Sequence, residues 1–143
     1  MSGYVVDTSV VIKWFLPEIH SEAALRVTRL QERLHVPAFM NMELGNVIAK
    51  KIRRKELTRA DGSTILKELR HLPLQRHPDD RLFPAAYEFA LDTQQSLYDC
   101  FYLALAEAVD GRLITADRKF YKALAGSVLH DRLLWVEDLG SET

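Results

Sequence analysis

Four carboxylates sit in stretches of sequence that would otherwise be buried. Asp7 is the only charged residue between Met1 and Ile12 and closes the apolar run Tyr4-Val5-Val6. Asp99 is the only charged residue in Leu97-Tyr98-Asp99-Cys100-Phe101-Tyr102-Leu103-Ala104-Leu105-Ala106, a segment apolar around its whole circumference and therefore expected to be a buried helix. Asp117 follows the apolar stretch Leu113-Ile114-Thr115, and Glu43 shares a helical face with Asn46 and Val47 at spacings of three and four. A carboxylate in apolar surroundings is costly unless hydrogen bonds, an opposite charge or a metal compensates it. If the four converged at about 6 Å with an effective dielectric near 20, each pair would repel by about 3 kcal/mol. All pairs together would then outweigh the ~5–15 kcal/mol by which a domain is stable. Such a cluster takes up protons, a counter-charge or divalent cations, and oxygen-only ligands favour Mg²⁺ or Mn²⁺. Carboxylate-held Mg²⁺ normally meets phosphate, so phosphodiester hydrolysis is the reaction class that follows. Each residue also has a plainer reading. Asp7, Asp99 and Asp117 could cap helices, and Glu43, near Lys50 and Lys51, could be a solvated residue on a helix surface.

The elements that must position these groups alternate between short strands and longer helices. Strands are expected at 4–6, near 34–36, at 73–77 as a short edge strand, at 112–115 and at 133–136. Helices are expected at 10–16, capped by Thr8 or Ser9 and stopped by Pro17, and from Ser21 through Ala24, Leu25, Val27, Leu30 and Leu34. Another runs from Met40 to about Arg54, and Thr58 with Asp61 forms a capping-box pattern ahead of Ile65 and Leu69. Further helices follow a cap at Asp79 or Asp80, run from Tyr98 to about Val109, and start at Asp117. This order predicts an α/β layer fold with a mainly parallel central sheet, in a single domain over residues 1–143 with its core at about 3–137. Ligands of such sheets bind beyond the carboxyl ends of the strands, where Asp7 and Asp117 fall.

With 143 residues, 48 % hydrophobic and 27 % charged, the chain has an ordinary globular composition and can bury a core without disulfides or zinc. A net charge of −1 excludes bulk electrostatic coating of nucleic acid, so phosphate binding must rest on a local patch or a bound cation. The lone Cys100 excludes an internal disulfide or a thiolate zinc cluster, and the five histidines show no HxH or HExxH spacing. No signal peptide or membrane span is visible, and a cytoplasmic location is expected. Trp14, Tyr98, Phe101 and Tyr102 are expected in core or dimer packing rather than as base-stacking platforms.

Tyr4-Val5-Val6-Asp7-Thr8-Ser9-Val10-Val11-Ile12-Lys13-Trp14 resembles the opening of a PIN domain of the VapC-type toxin ribonucleases. Pro37 with Met42-Glu43-Leu44-Gly45-Asn46-Val47 resembles the family's second acidic motif. The Leu97–Ala106 segment resembles the third, and Leu113-Ile114-Thr115-Ala116-Asp117-Arg118-Lys119-Phe120 the fourth. The resemblance implies a Rossmann-like, three-layer α/β/α PIN-like fold and an Mg²⁺- or Mn²⁺-dependent endoribonuclease. It further implies a homodimer inhibited by a cognate VapB-type antitoxin. Carried over position by position, Asp7, Glu43, Asp99 and Asp117 are the acidic quartet, with Asp7 and Asp99 the firmest metal ligands. Thr8, Ser9 and Thr115 match hydroxyls that orient ligands or water. Lys50, Lys51, Arg53 and Arg54, with Arg118 and Lys119, form a candidate rim for RNA or an acidic partner. The alternatives are a catalytically silent PIN-like module that binds RNA or protein, and a metal-dependent DNA nuclease.

Overall fold

A computed structural model describes residues 3–140; the expected domain's extreme ends, Met1, Ser2 and residues 141–143, lie outside the described residues. Five strands form one sheet: β1 (Tyr4–Val6), β2 (Leu34–Pro37), β3 (Leu74–His77), β4 (Arg112–Thr115) and β5 (Leu133–Trp135). Their order is β3-β2-β1-β4-β5 and every pairing is parallel. The chain adds strands outward from β1 to one edge, then returns past β1 to build the other. Right-handed crossovers therefore put the helices before β3 on one face and those after it on the opposite face. The result is an α/β/α sandwich.

Because both faces are covered, the central strands read as unbroken apolar runs: Val5, Val6, Leu113 and Ile114 are fully buried. The strands start in close contact. A Cβ on Gly111 would stand 2.2 Å from the Gly3 carbonyl oxygen, so only glycine fits there. One layer holds α1 (Thr8–Phe15), α2 (Ser21–Val27), α3 (Met40–Arg53) and α4 (Arg59–His71). The other holds α5 (Asp79–Thr93), α6 (Leu97–Ala108) and α7 (Arg118–Ala123). From Cys100 to Ala106 every residue of α6 is buried, as its composition predicts. The Thr58–Asp61 capping box at α4 is present, with both reciprocal bonds at 3.0–3.1 Å.

Several local expectations need correction. The cap of α1 is Asp7, whose extended backbone carries its carbonyl to the amides of Val10 and Val11. Thr8 is already helical, and neither it nor Ser9 is the cap. Pro78 caps α5, and Asp79 instead accepts from the Phe39 amide at 3.1 Å, pinning the start of α3 to the next layer. α2 ends at Val27, so Leu30 and Leu34 lie outside it. Val136 falls in a 3₁₀ turn after β5. Tyr98 is 62 % exposed, so of its expected core or dimer packing the core half does not hold, because α6 begins at the surface and is buried only from Cys100.

Candidate active site

The topological switch point lies at the carboxyl ends of β1 and β4, where neighbouring strands connect in opposite directions. A cleft of about 230 Å³ opens there, and Asp7, Glu43, Asp99 and Asp117 all line it. Asp7 comes from the end of β1, Glu43 from the first turn of α3, Asp99 from the first turn of α6 and Asp117 from the end of β4. Four stretches far apart in sequence, and both helical layers, thus contribute one carboxylate each. Ile12 and Val47 supply apolar wall between them.

The hydrogen bonds separate capping from other work. At α6 the cap is Ser96, whose hydroxyl accepts the Asp99 amide at 3.1 Å, so the Asp99 carboxylate is not needed to end the helix. The Asp7 side chain makes no cap bond either; Ser9 Oγ donates to its Oδ1 at 2.5 Å. Ser9 Oγ also accepts the Ala116 amide at 2.9 Å and lies 3.4 Å from Thr115 Oγ1. The loops after β1 and β4 are stitched together by this one hydroxyl. Asp117 does cap α7, accepting the Phe120 amide on Oδ1 at 3.1 Å, while Thr115 Oγ1 accepts the Asp117 amide. Thr8 Oγ1 donates to Glu43 Oε1 at 2.5 Å, and Tyr102 donates to the same oxygen at 2.7 Å.

The electrostatics are those of an uncompensated acidic site. Asp7 is 9 % exposed, and burial raises its pKa to about 7. The Ser9 and Thr115 hydroxyls oppose that rise, and the charges of Asp99 and Asp117 add to it. Asp99 is raised to about 6, first by burial, then by Asp117 and Glu43, against the pull of Ser96. Burial comes first in both shifts and neighbouring negative charge adds to it, a pattern that singles out a candidate functional site. Among the described residues, no three His, Cys, Asp or Glu side chains form a ready-made metal-binding group. The donor chemistry still suits a hard ion: all donors are oxygens, and Mg²⁺ characteristically keeps waters and takes only one or two carboxylates.

The basic candidates are not equivalent. Lys51 is tied to Glu18 at 3.4 Å and Glu56 at 3.5 Å, and the Arg118 guanidinium lies 4.4 Å over the Trp135 ring. Lys50, Arg53, Arg54 and Lys119 are exposed. Lys50 follows Glu43 by two helical turns, on the same side of α3 and about 10 Å further along it. Tyr102, expected from sequence in packing, also lines the cleft. Its three-residue spacing from Asp99 was the available signal, masked by the apolar residues around it.

A family model described as PIN domain matches residues 4–124, and the chain belongs to that family. Its curated relatives are named as VapC ribonucleases. Ribonuclease VapC3 of Pyrobaculum aerophilum is 33 % identical over 117 residues, covering 80 % of this chain and 89 % of that one. Ribonuclease VapC9 of Mycobacterium tuberculosis is 34 % identical over 113 residues, covering 79 % and 84 %. Among solved structures, a Pyrobaculum aerophilum protein superposes with a TM-score of 0.70 at 23 % identity, covering 96 % of this chain and 92 % of its own. A toxin–antitoxin complex from Klebsiella pneumoniae gives 0.60 at 20 % identity, covering 92 % and 96 %. At these identities the structural likeness establishes the fold.

Proposed function

We propose that the chain is a Mg²⁺- or Mn²⁺-dependent endoribonuclease, the toxin of a VapBC-type pair. In this reading it forms a single PIN-like domain that acts in the cytoplasm and is inhibited by a VapB-type antitoxin. The observation that carries the reading is the convergence of four carboxylates on one cleft, two with pKa values raised to about 7 and about 6. The names of the curated relatives supply the substrate class, RNA. Asp7 and Asp99 would hold the cation directly, with Glu43 and Asp117 reaching it through its waters, and the cation would supply charge neutralisation at the scissile phosphate and a more acidic water.

The protein's own part is positioning. Ser9 fixes Asp7 Oδ1 and joins the two strand ends, and Thr115 braces Asp117 through its amide. Asp117 lines the cleft and is anchored to α7 through Oδ1. In this reading the carboxylates would accept a proton from the attacking water and orient it for in-line displacement. Water as nucleophile with the 3′ oxygen as leaving group leaves a 5′-phosphate and a 3′-hydroxyl. Exposed Lys50 and Lys119 would guide the flanking phosphates.

A homodimer belongs to the same proposal. Phe83, Tyr87 and Leu91 form an exposed apolar stripe at four-residue spacing on α5, the kind of face a second copy would cover. Among the described residues no helix is long and apolar enough to cross a membrane. The test is cleavage of single-stranded RNA with Mn²⁺ or Mg²⁺ and with EDTA, followed by end-group analysis. Cation-dependent cleavage leaving 5′-phosphates supports the reading. A 2′,3′-cyclic phosphate product, or cleavage unaffected by EDTA, contradicts it.

A further inference from the structure

Tyr102 follows Asp99 by three residues on α6, so both side chains leave the helix on one side and line the cleft. Its ring is 2 % exposed, packed edge-on against Phe39 at 5.6 Å. The hydroxyl reaches across to the other helical layer, donating to Glu43 Oε1 at 2.7 Å and lying 3.0 Å from Thr8 Oγ1. Thr8 donates to that same oxygen at 2.5 Å. Two hydroxyls with one proton each thus share a single acceptor, which a carboxylate oxygen accommodates. Both bonds fall on Oε1. Among the described residues no hydrogen bond takes Oε2, so that oxygen stays available to the cleft.

We propose that Tyr102 is a positioning residue of the nuclease site: with Thr8 it clamps Glu43 Oε1 and holds Oε2 toward the cation and its water. The proposal rests on the nuclease reading above. Glutamate on a helix surface has three side-chain torsions and spreads over many rotamers, only some of which reach the cleft. A buried tyrosine has two torsions, both fixed here by packing, so it can restrain the carboxylate at little entropic cost. Outer partners that fix ligating carboxylates typically change metal affinity or activity about 10–100-fold. Because Tyr102 is buried, it acts through Glu43 and not by touching RNA.

The test is Tyr102→Phe, which keeps the ring and its packing and removes only the donor. Mn²⁺ affinity is measured by calorimetry, and kcat and KM on an RNA oligonucleotide. The expected result is a roughly tenfold or larger loss in both Mn²⁺ affinity and kcat with KM unmoved. In a Glu43→Gln background, adding Tyr102→Phe should change neither quantity further, because the carboxylate it acts through is gone. Thr8→Val, which cuts the other arm, should lower Mn²⁺ affinity in the same direction, and Thr8→Ser should restore it. A wild-type chain that binds no Mn²⁺ overturns the nuclease reading and the clamp together. Wild-type binding and cleavage that Tyr102→Phe leaves intact, an equal loss in the Glu43→Gln background, or an effect confined to KM overturns the clamp alone.

Discussion

Asp7→Asn should make the metal-free protein more stable while abolishing cleavage. Asparagine keeps an oxygen for Ser9 Oγ to donate to and removes a charge that burial penalises. The Asp7 carboxyl is raised from 3.8 to about 7 in the fold, so the folded state holds its proton more tightly than the unfolded chain. Stability from this group is therefore complete below about pH 4 and is lost as pH climbs toward 7. Near pH 5, where only the unfolded state has ionised, the deficit is roughly 2 kcal/mol, and at pH 8 it reaches roughly 4 kcal/mol. Asparagine does not titrate, so the variant should gain about those amounts over wild type, worth on the order of 10 °C in Tm at pH 8. Urea denaturation in EDTA at pH 5 and pH 8 reads both values. An equal gain at the two pH values, or a loss at pH 8, would refute the reasoning, because it would mean that the carboxylate is not paying for burial.

Other predictions follow from the same geometry. Asp99→Asn should reduce cleavage at least a hundredfold while circular dichroism stays unchanged, since Ser96 and not Asp99 caps α6; an active variant would contradict its assignment. Gly111→Ala should destabilise the fold by about 3 kcal/mol in chemical denaturation, because the added Cβ meets the Gly3 carbonyl at 2.2 Å and backbone yields poorly. Lys50→Glu should raise KM for RNA severalfold at low salt with kcat unmoved, and the difference should fade by about 0.5 M salt as screening takes over. A change in kcat instead would place Lys50 in the chemistry.

The sheet and most helices were legible because their signals are dense. Three short strand runs that lead to Asp7, Pro37 and Asp117, the Thr58–Asp61 box and the all-apolar span from Cys100 each leave few alternatives. Asp7 and Asp99 were legible because a lone charge in an apolar run needs a reason, whereas Glu43 and Asp117 stood out through helix-face spacing, a place after a strand and the motif resemblance. Their roles as cation ligands remain the proposal above. The caps at Asp7, Pro78 and Ser96 were harder to read, since backbone angles choose among adjacent polar residues and composition does not. Leu30 and Leu34 continue a helical spacing that the chain abandons after Val27 to deliver Leu34 to the sheet. Tyr102 was hard to read as a polar group because its three-residue spacing from Asp99 fits ring packing equally well; the distance to Glu43 separates the two.

The most direct test of the central claim is a calorimetric Mn²⁺ titration of wild type and Asp99→Asn at pH 7.5, paired with thermal melts. The account predicts saturable heat and a raised Tm for wild type, with both strongly reduced in the variant. Absence of heat and of any melting shift in wild type would contradict it, because the cleft carboxylates would then be balanced by something other than a divalent cation.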